Sequence, residues 1–449
     1  MPSDFSVVPD SGLPVASGLR RDRDFRRLWW GQTASQLGEH ATLVILPLYA
    51  VLTLGVDPGR LGVLRAVGQV PVLLLTLFVG AWVDGWRTRT VMVLADSGRA
   101  FVLGATALVA LFGRVGPATL CVAVFAVGVL SVFFDVAYQA SLVRLVRRDQ
   151  LVRGNSALEG SRSAAQVGGP ALGGALVSLL SAPVAVASGA LFFALSCGAI
   201  RRIQRVERIP ERPERQSPVR RRILEGLRLV LGDTSLRSVC LASAVFQFSF
   251  AALMTVHLLF LPRELHLSGT AVGLALAASG PGALLGSVLA AALPKRFGYG
   301  AVLVFAAAIG DGAFLCVPAL RGSPAVTLPA LLAVGLVFGA GGQVVNVAVM
   351  AIRQSVTPDG LQGRAAATIT FVGMGMTPLG SLLGGVLAQE WGLRTGLLVT
   401  AAGMLLSPAV IALSPLARLG RALPALPDER LPGRSDAPEA GSAPAPAAE

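Results

Sequence analysis

Twelve stretches of this chain, each roughly 18–26 residues long, are apolar enough and long enough to cross a ~30 Å hydrocarbon core as α-helix. Inside lipid the backbone N–H and C=O groups find no water, so only helices or closed barrels can span it. The spans are placed near 29–54, 61–83, 90–112, 117–142, 157–179, 182–200, 237–261, 270–293, 299–319, 325–350, 365–388 and 393–415. The expected fold class is all-α: a polytopic membrane protein of twelve transmembrane helices. Composition agrees, since 53% of the 449 residues are hydrophobic and 14% charged. A soluble domain carries roughly 25% charged residues, so a typical cytosolic enzyme and a disordered chain are both excluded.

Charge placement tests the count of spans. The chain has 38 basic residues and a formal charge of +13, and Lys295 is its only Lys. On a soluble protein such a balance points to nucleic acid; here the arginines sit between apolar runs, as loops beside an anionic membrane surface do, and no nucleic-acid partner is expected. Arg87 and Arg89, then Arg144, Arg147, Arg148 and Arg153, then the cluster from Arg201 to Arg237, then Lys295 and Arg296, then Arg353 and Arg364 fall on one side. The other side holds Arg60, Arg114, Arg263, Arg321 and Arg394 singly. Positive residues stay cytoplasmic, so both termini are expected in the cytoplasm and the chain in the cell (inner) membrane.

Five regions follow. Residues 1–28 form a polar N-terminal segment with no cleavable signal pattern, and 29–200 the first six-helix half. Residues 201–236 form a central loop whose 211–218 stretch should be extended; Ile223, Leu227, Val230 and Leu231 then recur at helical spacing among arginines, predicting an interfacial amphipathic helix. The second half is 237–415, and 416–449 is a tail rich in Pro and Ala, expected to be disordered. The halves read as weak repeats about 210 residues apart, an arrangement that puts a substrate site between them near the midplane. Leu61-Gly62-Val63-Leu64 matches Val272-Gly273-Leu274-Ala275, and Asp149-Gln150-Leu151 matches Asp359-Gly360-Leu361.

Several chemistries are absent from the pattern. Lys295 lies in Leu-Pro-Lys-Arg-Phe and not in a phosphate-binding Gly-rich loop, so a Walker-type ATPase is excluded. There is no G-x-S-x-G elbow, and no acyltransferase-type H-x4-D at His40, His257 or His266. Four scattered cysteines and three histidines have no metal-ligand spacing. Neither an enzyme nor a resident cofactor or metal is expected.

The loop after the second span reads Gly80-Ala-Trp-Val-Asp84-Gly-Trp-Arg87-Thr-Arg89, followed by Asp96-Ser-Gly-Arg99. It resembles the signature loop of the major facilitator superfamily, with Gly85 and Arg87 where that family often has Arg and Gly. Gly169-Pro170-Ala-Leu-Gly173-Gly174 fits the G-P-x-x-G-G signature of the family's antiporters, at what reads as the head of helix 5. Stretches such as Asp24-Phe-Arg-Arg-Leu-Trp and Asn155-Ser-Ala-Leu-Glu159-Gly-Ser-Arg162 are similar to bacterial drug-efflux members. The resemblance covers about residues 20–415 and implies two pseudo-repeated halves, a proton-coupled exporter of small amphipathic molecules, and a conformational gate. Gly80, Asp84, Arg87, Arg89, Asp96, Arg99, Arg162, Gly169, Pro170, Gly173 and Gly174 are assigned to that gate. By the same resemblance Asp84 would accept hydrogen bonds from the start of helix 11. An importer on the same fold, a non-transporting membrane sensor and a membrane-embedded enzyme are the competing readings.

Ionisable groups within the bilayer are costly and mark function by default. Gln32, Ser35, Gln36 and Glu39 fall at i, i+3, i+4 and i+7, one polar stripe expected to face a wet cavity. Glu39 and Asp135 are the candidate proton-exchanging carboxylates; Arg162 could instead hold Asp135 as a fixed ion pair, and Arg65 is the nearest cation foreseen for Glu39. Gln247, Gln343 and Asn346 supply polar groups from the second half, whereas Asp311, flanked by glycines, reads as structural. The expected partners are a small-molecule substrate, protons and the lipid bilayer, with the chain acting as a monomer.

Overall fold

The structure is a computed structural model describing residues 22–83, 85–146, 150–205 and 219–421. Every regular element among these is helical. The first half contains α1 (Arg23–Leu52), α2 (Pro58–Val83), α3 (Thr88–Leu111), α4 (Pro117–Leu145), α5 (Leu151–Leu179) and α6 (Ala182–Arg201). After α7 (Val219–Gly232), the second half contains α8 (Thr234–Arg263), α9 (Gly269–Ala277), α10 (Ser279–Phe297), α11 (Tyr299–Gly312), α12 (Pro324–Val356), α13 (Gln362–Gly375), α14 (Thr377–Met404) and α15 (Leu406–Leu413). The α9–α10 and α13–α14 boundaries are bends within single spans, at Gly280-Pro281 and Thr377-Pro378, where the ring removes a backbone donor. Gly392, at φ 80°, breaks α14 into the end of the eleventh span and the start of the twelfth, a backbone conformation that favours glycine. The second half therefore also crosses six times.

Two starts differ from the sequence reading. The first helix begins at Arg23, not near 29, because Asp22 caps it: its Oδ1 accepts from the N–H groups of Asp24 and Phe25 at 2.9 and 3.2 Å. The fifth begins at Leu151, so Gly169–Gly174 lie well inside it and not at its head. The predicted amphipathic helix exists as α7, but α13 covers part of it: Glu225 accepts from Arg364 Nη1 at 2.6 Å and from Arg221 Nε at 3.0 Å, and Gly226 lies against Arg364 and Thr368. The extended stretch foreseen at 211–218 and most of the tail lie outside the described residues.

The repeat becomes quantitative once helix starts are known. Thr234 follows Arg23 by 211 residues, and the same offset carries Pro58 to Gly269, Thr88 to Tyr299 and Leu151 to Gln362, each the start of a helix. Leu145 and Val356, which end α4 and α12, keep it as well.

The halves are tied at one end of the bundle, the one opposite Arg23 and residues 416–421. There α5 packs on α9 and α2 on α14, whereas the same helices only graze α10 and α13, the continuations of those spans toward the other end. Two glycine crossings make the approach possible. A Cβ on Gly174 would stand 2.2 Å from the Gly269 carbonyl oxygen and 2.8 Å from the Gly273 Cα; one on Gly62 would stand 3.0 Å from the Gly385 Cα. The repeat maps Gly62 onto Gly273 and Gly174 onto Gly385, so one crossing is the symmetry copy of the other. Arg263 Nη2, which donates to the Val56 carbonyl at 2.6 Å, and Ser178 Oγ, which accepts from Thr270 N–H at 2.7 Å, close the same end.

Candidate functional site

Four helices of the first half, α1, α3, α4 and α6, converge on Arg99. Its side chain is 0% exposed, as is that of Asp96 one turn earlier on α3, with which it forms an ion pair. Arg99 Nη2 also donates to Ser35 Oγ at 2.9 Å, and Nη1 to Ser131 Oγ at 3.1 Å. Ser35 Oγ in turn donates a hydrogen bond to Asp96 Oδ1 at 3.2 Å. The guanidinium plane is held between Phe134 and Phe193, 4.5 and 4.4 Å from the ring centroids, a cation–π pair in a desolvated setting. Burying a guanidinium is tolerable only with this degree of pairing.

Glu39 stands at the edge of this cluster. Its Oε2 is 3.5 Å from Arg99 Nη1, a loose contact, and its side chain is 22% exposed. Asp135, half-buried on α4, lies within electrostatic reach of Glu39, Arg99, Arg162 and Asp96. No hydrogen bond from another described residue reaches its carboxylate. Asp96 is committed to Arg99, so two further carboxylates share what remains of one buried cation and of Arg162 at the periphery.

The structure corrects several assignments. Asp96 and Arg99, assigned to the gate from sequence, are the buried centre of the first half, because α3 turns both inward at i and i+3. Ser35 and Gln32 face that interior, each 0% exposed, and Gln36 is buried as well, so of the stripe only Glu39 opens outward. The cation beside Glu39 is Arg99, not Arg65. Arg162 pairs with Glu159 at 3.9 Å, and no ion pair joins it to Asp135. Gly169 and Gly173 sit against His40 and Ala41 of α1, Pro170 offers its carbonyl near Gly273, and Gly174 meets α9, so the motif serves one packing contact within the half and one between halves. Arg87 and Arg89 lie at the α2–α3 connection, where Arg89 Nη2 donates to the Arg201 carbonyl; Gly80 is in the last turn of α2. Asp84 lies outside the described residues.

In the second half, a cavity of ≈ 250 Å³ is lined by Ser243, Phe246, Gln247, Asp311 and Asn346, among others. Gln247 and Asn346 thus line one cavity. Gln343 lies elsewhere on α12, its Cβ near Gly286. Asp311, read from sequence as structural, shares this cavity; the signal that could have found it is a carboxylate inside a helix otherwise as apolar as α11. Between the halves, an apolar crevice of ≈ 730 Å³ runs along α2, α13 and the start of α14, lined by Val67, Leu73, Phe371 and Met376.

The family profile described as transmembrane secretion effector matches residues 16–434. The multidrug efflux pump Tap of Mycolicibacterium fortuitum is 26% identical over 391 residues, spanning 85% of this chain and 93% of that protein. Among solved structures, a bacterial homologue of the human lysosomal transporter Spinster, inward-facing and occupied, superposes with a TM-score of 0.72 at 12% identity over 90% of this chain and 98% of that one. A bacterial homologue of the iron transporter ferroportin, inward-facing, gives 0.68 at 18% identity over 88% and 98%. With six-helix halves related by a constant offset and joined at symmetric glycine crossings, the chain belongs to the transmembrane secretion effector family of major facilitator superfamily transporters.

Proposed function

We propose that this membrane transporter exports small amphipathic molecules by proton antiport, alternating access between the two sides. The observation that carries the reading is the excess of carboxylate beside Arg99: Glu39 and Asp135 lie within electrostatic reach of each other with one shared buried guanidinium. Two such groups cannot cheaply be charged together, so uptake and release of a proton accompany any change in their access to water. Glu39, part-exposed, is the proton-exchanging group; Asp135 tunes it. The efflux function named for Tap, the apolar crevice between the halves and the positive-side bias of the loops support export of amphipathic compounds by a protein with both termini cytoplasmic. In that orientation the glycine crossings close the outer end and the structure is inward-facing. The working unit is the monomer.

Substrate-dependent proton movement in reconstituted vesicles tests the reading. Glu39→Gln keeps side-chain size, so downhill substrate exchange should persist while uptake into inverted vesicles driven by a pH gradient is lost. Full uphill transport by Glu39→Gln would remove it from the coupling role. Transport that survives collapse of the proton gradient but stops on ATP removal would overturn antiport altogether.

A further inference from the structure

We infer that the second half holds a binding site for an organic cation, the amine or guanidinium head of a transported molecule, built around Asp311. The inference rests on reading the protein as an exporter of small molecules.

The repeat locates the site. The offset that relates the helix starts carries Arg99 to Gly310, Asp96 to Ala307, Ser131 to Gly342, Phe134 to Val345 and Phe193 to Met404. Arg99, Asp96, Ser131 and Phe134 are thus replaced by smaller residues with no charge or hydrogen-bonding side chain, while Ser35 is replaced by the bulkier, apolar Phe246 of the cavity wall. Ala307, Gly342 and Val345 line the ≈ 250 Å³ cavity, so the second half is open where the first is filled by Arg99 and its aromatic walls. A close-packed interior does not leave such a space without reason.

A carboxylate stands in that space. Asp311 is 4% exposed and lines the cavity, and no hydrogen bond or ion pair from a described residue reaches it. In the first half Asp96 has a cation built into the chain; in the second the cation must come from outside. The rest of the lining suits one. Gln247 and Asn346 offer amide oxygens to N–H donors, and Phe246 offers a ring face, fixed by stacking 5.5 Å from Phe250. Pockets for whole drug-sized ligands run about 300–1,000 Å³, so a space just below that range takes the charged head of a larger molecule and leaves its apolar part outside.

Benzylguanidine and its neutral isostere benzylurea separate charge recognition from shape. Equilibrium binding to the purified full chain should favour benzylguanidine by about tenfold to a hundredfold, the worth of a hydrogen-bonded charge pair. Asp311→Asn, nearly isosteric, should bring benzylguanidine down to the affinity of benzylurea and leave benzylurea unchanged, which also reports that the cavity still forms. A wild-type protein with no preference overturns the inference without any variant, and so does an Asp311→Asn protein that retains the preference. Vesicles containing the same protein are assayed in parallel for export of a dye panel. Export without cation preference defeats this inference alone, whereas absence of export for every compound defeats the transporter reading beneath it.

Discussion

Arg99→Met is expected to destabilise the protein by about 3–5 kcal/mol, because it leaves the fully buried Asp96 carboxylate without its cation. The long Met chain keeps much of the packing between Phe134 and Phe193, so lost volume is not the main cause. Thermal unfolding followed by monodisperse elution in detergent should show a fall of roughly 3–5 °C. Pairing the change with Asp96→Leu removes the stranded charge, and replacing both members of a buried pair by apolar groups is often close to neutral. The double variant should therefore recover most of the loss in stability, though not transport, since Glu39 would still lack the guanidinium at 3.5 Å. Equal melting of wild type and Arg99→Met would mean that Asp96 carries a proton in the folded state and the cluster is not an ion pair.

The transmembrane architecture was legible because an apolar run of bilayer length is a signal carried by each segment alone. The twelve crossings and the Gly-Pro stretch needed no knowledge of neighbours. Helix starts were less legible: α1 extends six residues beyond its apolar run because a cap at Asp22 satisfies its first N–H groups, and polar residues outside the core carry no hydropathy signal. The site was hidden for a different reason. Asp96 and Arg99 adjoin a recognisable loop motif, and nothing local says that they turn inward to meet Ser35, Ser131 and two aromatic rings from three other helices. Asp311 was hidden further still. Its cavity exists because Ala307, Gly342 and Val345 are smaller than their counterparts Asp96, Ser131 and Phe134, a contrast visible only once the offset between halves is fixed by their helix starts.

Gly174→Leu and Gly385→Leu should each open the end of the bundle where the halves now meet. At Gly174 even a Cβ would stand 2.2 Å from a backbone oxygen of α9, and at Gly385 it would stand 2.8 Å from the Pro58 carbonyl oxygen. Neither obstacle can rotate away, so the helices must separate. Overpacking costs typically about 1–3 kcal/mol, which multiplies the open-to-closed ratio by about 5–150. Because the two crossings are repeat copies at separate joints, their effects should approximately add in the double variant. Cysteines placed at Ser178 and Thr270, whose backbone and side chain are in hydrogen-bond contact across the joint, report the closed state by cross-linking. Cross-linking should fall in Gly174→Leu and further in the double variant, while Gly104→Leu, which meets nothing within 4 Å, should leave it unchanged. On the proposed alternating-access cycle, substrate flux should fall in parallel, since a transporter held open at one end cannot reset. Undiminished cross-linking in the double variant would show that the glycines pack the helices without governing how the halves close.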